Sequence, residues 1–176
     1  MPRNVEIKAR IASVDALTAR AAAIADTGPV EIRQDDTFFP CDTGRLKLRQ
    51  FADGTGELIF YQRADQGGPK ESFYLISRTD NAEALREVLL CAYGARGRVV
   101  KHRTLYLAGK TRIHLDRVAT LGDFLELEVV LDDDESLEAG VRTAHEIMAQ
   151  LGVTSAQLIE GAYLDLLARG PETHPR

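Results

Sequence analysis

The sequence predicts an α+β chain, an antiparallel sheet of eight strands with four helices over its apolar face. Three observations carry this expectation. Eight segments alternate apolar and polar residues with period two, four others repeat apolar residues at steps of three and four, and several links between strands are short and glycine-rich. A length of 176 residues suits one domain, expected over residues 1–170 with a tail at 171–176.

The first strand is predicted over Asn4 to Ile11, and a helix over Ser13 to Ala25 follows, with Gly28-Pro29 beyond it. Thr37 to Phe39 reads as a short strand. Arg45 to Phe51 and Glu57 to Arg63 are strands joined by the tight hairpin link Asp53-Gly54-Thr55-Gly56, and Glu71 to Arg78 follows the looser Gln66-Gly67-Gly68-Pro69. Asp80 to Ala92 reads as a helix, with Glu83 placed for a capping box and Gly94 after it. Val99 to Leu107 and Thr111 to Asp116 flank the turn Ala108-Gly109-Lys110, and Asp123 to Leu131 is the last strand. The clearest helix runs from Ser136 to Leu151, with Leu137, Val141, Ala144, Met148 and Leu151 on one stripe, Ser136 as cap and Gly152 as stop. A fourth helix is expected over Ser155 to Ala168.

Composition narrows the class. Hydrophobic residues at 44% and charged residues at 28% are ordinary for a globular chain and exclude a collagen-like, disordered or disulfide-dense one. No stretch approaches the roughly 20 apolar residues that span a bilayer, and Met1-Pro2-Arg3 leads into charge, so a soluble, cytoplasmic protein with no membrane partner is expected. A net charge of -5 argues against nucleic acid as a partner. Cys41 and Cys91 stand apart without metal-ligand spacing and read as buried free thiols.

Alternate positions of a strand share a face, and here those faces carry charge sorted by sign. Glu6 and Lys8 share one face of the first strand, while Arg45, Lys47 and Arg49 share another. Lys101 pairs with Arg103, and Glu126 with Glu128. A solvated face accounts for any one strand, but a merely solvated sheet mixes charges because like charges side by side destabilise it. Sorting by sign makes sense if the faces converge on a cavity that holds a polyanion and its metal ions. Arginine and lysine clamp phosphate oxygens, and carboxylates hold magnesium or manganese.

In order along the chain, Asn4-Val5-Glu6-Ile7-Lys8, Gln34-Asp35-Asp36-Thr37-Phe38-Phe39, Arg45-Leu46-Lys47-Leu48-Arg49, Val99-Val100-Lys101-His102-Arg103 and Leu121-Gly122-Asp123-Phe124-Leu125-Glu126-Leu127-Glu128 resemble the signatures of the CYTH superfamily. That superfamily is named for class IV adenylyl cyclases and thiamine triphosphatases. The resemblance implies an eight-stranded antiparallel β-barrel, a triphosphate tunnel, with helices packed outside. It implies that Lys8, Arg45, Lys47, Arg49, Arg63, Lys101 and Arg103 bind a triphosphate or polyphosphate. It further implies that Glu6, Asp116, Glu126 and Glu128 hold Mg2+ or Mn2+, and that Lys8, Glu126 and Glu128 are catalytic. Asn4, Phe39 and Ser72 depart from the family pattern, and Asn4 offers a poorer metal ligand than the usual carboxylate.

The activity this implies is a metal-dependent triphosphatase acting on inorganic tripolyphosphate or a nucleoside triphosphate. The alternatives are a class IV adenylyl cyclase and a non-catalytic polyphosphate-binding module. His114 and Tyr163 read as structural residues, and Asp36 as one that orients a tunnel arginine. Apolar outer strand faces beyond what four helices cover point to a homodimer.

Overall fold

The computed structural model describes residues 3–63 and 68–169, and all eight expected strands form. They are β1 (Arg3–Arg10), β2 (Thr27–Phe39), β3 (Arg45–Gln50), β4 (Gly56–Arg63), β5 (Lys70–Thr79), β6 (Gly97–Ala108), β7 (Thr111–Val118) and β8 (Gly122–Leu131). The helices are α1 (Val14–Ile24), α2 (Ala82–Tyr93), α3 (Leu137–Gln150) and α4 (Tyr163–Arg169). Around the sheet the order is β1, β5, β4, β3, β2, β6, β7, β8, every neighbour antiparallel, and β8 pairs back onto β1. The sheet therefore closes in a ring, and its backbone groups find partners on both sides of each strand.

Period-two patterning gives that ring two unlike faces. Outward, Val5, Ile7, Ile113, Leu115, Leu125 and Leu127 form a buried cluster with Val14 and Ala21 of α1, Ala144 and Met148 of α3, and Leu151 just after it. Phe39 and Leu48 pack in the same way on Leu89 of α2. Each buried leucine or isoleucine contributes about 1.5–3 kcal/mol, so the outer face carries much of the stability and leaves the inner face open to charge. Gly140 lets α3 lie directly on the sheet, since a Cβ there would come within 2.6 Å of Leu131 and 2.8 Å of Val5.

Serine hydroxyls cap α1 and α3, Ser13 accepting from the Ala16 N–H at 3.1 Å and Ser136 from that of Ala139 at 3.2 Å. In α2 the cap is Asn81, which accepts from the Ala84 N–H at 3.1 Å, and Glu83 forms no capping box but accepts from Gln50 at 2.8 Å.

Three expectations need correction. The second strand begins ten residues before Thr37, because Gln34 and Asp36 on its inner face and Arg33 and Asp35 on its outer face leave no apolar alternation to read. The segment Ser155 to Ala168 is not one helix. After a short turn at Ser155–Gln157, Leu158 bridges to Ala9, the Ile159 N–H donates to the Lys8 carbonyl at 3.0 Å, and Gly161 at φ +83 separates this stretch from α4. Cys41 is half-buried and Cys91 exposed, both as free thiols. The expected tail at 171–176 and part of the loop before β5 lie outside the described residues. Among the described residues no helix is long and apolar enough to cross a membrane.

Candidate active site

Alternate residues of all eight strands line a cavity of about 550 Å³ inside the ring. One end is filled where β1 finishes and β6 begins. There Phe38, Val99, Val118 and Phe124 pack on Tyr163 at the start of α4, the Phe124 and Tyr163 ring centres being 5.0 Å apart.

Register sets the neighbours on the β1, β8 and β7 wall. Lys8 lies opposite Glu126, and Glu126 opposite His114. The next row places Glu6 opposite Glu128, and Glu128 opposite Arg112. Two carboxylates facing each other repel, so this row needs cations beside it. Arg112 supplies one, donating to Glu128 at 3.1 Å.

The β2 and β3 wall carries a second cluster. The buried Asp36 accepts from Lys47 Nζ at 2.7 Å and from Arg49 Nε and Nη2 at 2.8 and 2.9 Å. Burial pushes the Asp36 carboxyl upward, but Arg49 and Lys47 together hold it far below the usual carboxylate range. Lys47 shifts down to about 8, through burial and then the adjacent Arg49, with Asp36 opposing.

On β6 and β7, Arg103 donates to both Asp116 oxygens at 2.6 Å and to Glu126 at 3.1 Å. Asp116, 0% exposed, also accepts from the Tyr163 hydroxyl at 2.8 Å and lies 3.4 Å from Lys101 Nζ. It shares the inward parity of Arg112 and His114 and sits opposite Phe124 at the filled end of the ring, holding Arg103 and Lys101 from below the cavity. Burial raises the Glu126 carboxyl, but Lys8 and then Arg103 hold it well below its ordinary value, so it is ionised at neutral pH.

Of the residues expected from the sequence, Glu6, Lys8, Lys47, Arg49, Lys101, Arg103, Glu126 and Glu128 all line this cavity. Arg45 shares their parity but pairs with Asp165 at 2.8 Å, and Asp165 also accepts from the Ala162 N–H at 2.8 Å, so Arg45 anchors the start of α4. Arg63 lies opposite Ser72, and its side chain falls outside the described residues.

The family model for the CYTH domain matches residues 2–163. The chain belongs to the CYTH family. It is 27% identical over 171 residues to adenylate cyclase CyaB of Aeromonas hydrophila, covering 93% of this chain and 87% of that one. It superposes on the PH1012 protein of Pyrococcus horikoshii with a TM-score of 0.82 at 21% identity, covering 93% and 98% of the two chains. A putative adenylyl cyclase from Hippeastrum, reported to have a dominant triphosphatase activity, gives a TM-score of 0.67 at 16% identity over 94% of this chain and 95% of the other.

Within this CYTH fold, Tyr163 and Gln34 line the cavity without having been placed in the site by sequence reasoning, whereas Asn4 entered it as a departure from the metal-ligand pattern. Tyr163 has its ring 3.9 Å from Lys8 Nζ in addition to its hydrogen bond to Asp116. Its tail-end position gave no sign of this. Asn4 and Gln34, 2% and 4% exposed, each present a side-chain oxygen that has no hydrogen-bond partner among the described residues. Their inward parity was the available signal, two residues before Glu6 and Asp36.

A divalent cation fits this donor set. Glu6, Glu126 and Glu128 offer hard carboxylate oxygens, and the partnerless Asn4 oxygen is a neutral one. Among the described residues no three His, Cys, Asp or Glu side chains form a ready-made cage. Magnesium suits that arrangement, since it takes one or two carboxylates and completes its shell with water and phosphate oxygens.

His114, fully buried, is pushed from about 6.5 to about 4 by burial and then by Arg103. It is neutral at pH 7. Between pH 7 and 5 the unfolded chain takes up a proton at this residue and the folded chain does not, so stability falls as pH falls. Urea unfolding is expected to show about 2 kcal/mol more loss over that interval for the wild type than for His114→Gln. Equal losses in the two proteins would remove His114 as the cause.

Proposed function

We propose that this CYTH protein is a metal-dependent triphosphatase. The observation that carries the reading is the convergence, in one cavity inside the closed ring, of five cations from β1, β3 and β6 with carboxylates from β1 and β8. Phosphoryl transfer asks a protein mainly for positioning and charge neutralisation. Lys47, Arg49, Lys101 and Arg103 grip nonbridging oxygens, with Asp36 and Asp116 holding all four side chains in place by hydrogen bonds and ion pairs. Glu126 and Glu128, with Glu6 beside them, are the residues that would hold Mg2+ or Mn2+. Such an ion lowers the pKa of an attacking water and neutralises phosphate charge. Lys8, beside Glu126, stabilises charge that develops on the reacting phosphate.

Phosphorus NMR of tripolyphosphate and of ATP incubated with the protein and either metal tests this, alongside a cyclic AMP assay. Orthophosphate release is expected. The similarity to adenylate cyclase CyaB favours a second reading, in which a ribose hydroxyl attacks the innermost phosphate and pyrophosphate leaves. Cyclic AMP with pyrophosphate would establish that reading and reject hydrolysis.

Lys47 gives a separate check. A phosphate chain beside it favours the charged amine, raising its pKa above the free-protein value of about 8. Binding at pH 8 should therefore take up about half a proton, and affinity should weaken as pH rises through 8. Calorimetry in buffers of different ionisation enthalpy measures this uptake, and its absence would place Lys47 away from the phosphate.

A further inference from the structure

We infer that His114 supplies a nitrogen ligand to the divalent ion of this cavity, beside Glu128, so that the site is built for a first-row transition ion such as Mn2+ rather than for magnesium. This rests on the proposed function and adds a residue of different chemistry to the carboxylates named there. His114 is 4% exposed and lines the cavity, yet its Nδ1 has no hydrogen-bond partner among the described residues. A buried polar atom left in that state costs about 1–3 kcal/mol. Across β6 its neighbour is Leu105, and beyond that on β2 stands Val30, so on that side the row offers no polar side chain. Across β8 its neighbour is Glu126, with Glu128 at the next inward position.

The cations nearby are engaged elsewhere. Arg103 donates to Asp116 and Glu126, and Arg112 donates to Glu128 Oε2 at 3.1 Å. The other Glu128 oxygen, Oε1, lies 3.9 Å from His114 Nδ1. That gap is too long for a hydrogen bond. A water bridging the two atoms at a tetrahedral angle needs them about 4.6 Å apart, whereas an ion with bonds of about 2.1 Å spans anything up to about 4.2 Å. Imidazole nitrogen is a ligand for first-row transition ions, while magnesium is held by oxygen. Mn2+ accepts the nitrogen and still suits the carboxylates and phosphate oxygens that complete its shell.

Pulsed EPR of Mn2+ added to the full chain tests this, with the bis-methylene analogue of tripolyphosphate as a probe that hydrolysis does not consume. The wild type is expected to show phosphorus coupling from the analogue together with the nitrogen coupling of a directly bound imidazole, the latter changing pattern when histidine is isotope-labelled. His114→Gln should abolish the nitrogen coupling, keep the phosphorus coupling, and lower the ratio of Mn2+ to Mg2+ affinity by about tenfold. Phosphorus coupling without nitrogen coupling in the wild type, or nitrogen coupling that survives in His114→Gln, overturns the inference while the proposed function stands. The labelled wild type carries the test even if the variant fails to fold. Nitrogen coupling without phosphorus coupling keeps His114 as a ligand and overturns the proposed function, and no Mn2+ binding at all overturns both.

Discussion

Replacing Asp116 by Asn is expected to lower the unfolding free energy by about 3–5 kcal/mol, among the largest single effects in the molecule. The carboxylate is fully buried and supports two cations, Arg103 through two 2.6 Å hydrogen bonds and Lys101 at 3.4 Å. Asn keeps the shape but removes the charge, leaving two buried cations with Glu126 as their nearest remaining counter-charge. Burying a charge without its partner costs far more than the intact pair contributes. Urea unfolding at pH 7 should show a lower midpoint with an unchanged slope. Tyr163→Phe is the control: it deletes one donor to the same carboxylate while the Arg103 pair persists, so about 1 kcal/mol is expected. A loss in Asp116→Asn no larger than that would mean that Glu126 alone compensates Arg103.

The second large effect concerns turnover. Glu126→Gln is expected to reduce metal-dependent hydrolysis by about 10^3-fold, because metal coordination is worth several kcal/mol of transition-state stabilisation and each 1.36 kcal/mol is a factor of ten. The fold should survive, since Glu126 lies on the cavity wall and Arg103 keeps Asp116. Affinity for tripolyphosphate measured with a chelator present should hold or tighten, because the variant cavity has one negative charge fewer. The pairing of lost turnover with retained binding separates a metal-holding role from a structural one. Unchanged turnover would take Glu126 out of the chemistry.

Much of this site was legible because strand parity is a local property. Glu6 with Lys8, Lys47 with Arg49, Lys101 with Arg103 and Glu126 with Glu128 each share a face by the two-residue repeat alone. The repeat fails where both faces of a strand are polar, as between Glu31 and Asp36, and there β2 was read ten residues too short. It fails differently in the C-terminal segment, where a helical apolar pattern is interrupted by the Leu158 bridge to Ala9 and by the backbone conformation of Gly161. Neither is visible in a side-chain period, since one is a contact across 149 positions and the other a backbone angle.

The sequence by itself determined which residues can share a wall, which face of the sheet is greasy, and how helices α1 and α3 begin. The tertiary structure decided the rest. Ring closure through β1 and β8 turned separate charged faces into one cavity, and register set Glu6 against Glu128 and Lys8 against Glu126. Packing buried Asp116 at the filled end of the ring against Arg103, and drew Arg45 to Asp165 at the start of α4. The physical reason is range: parity and caps are decided by neighbours in the chain, whereas a charge is paired, buried or placed at a mouth by strands that meet only when the ring closes.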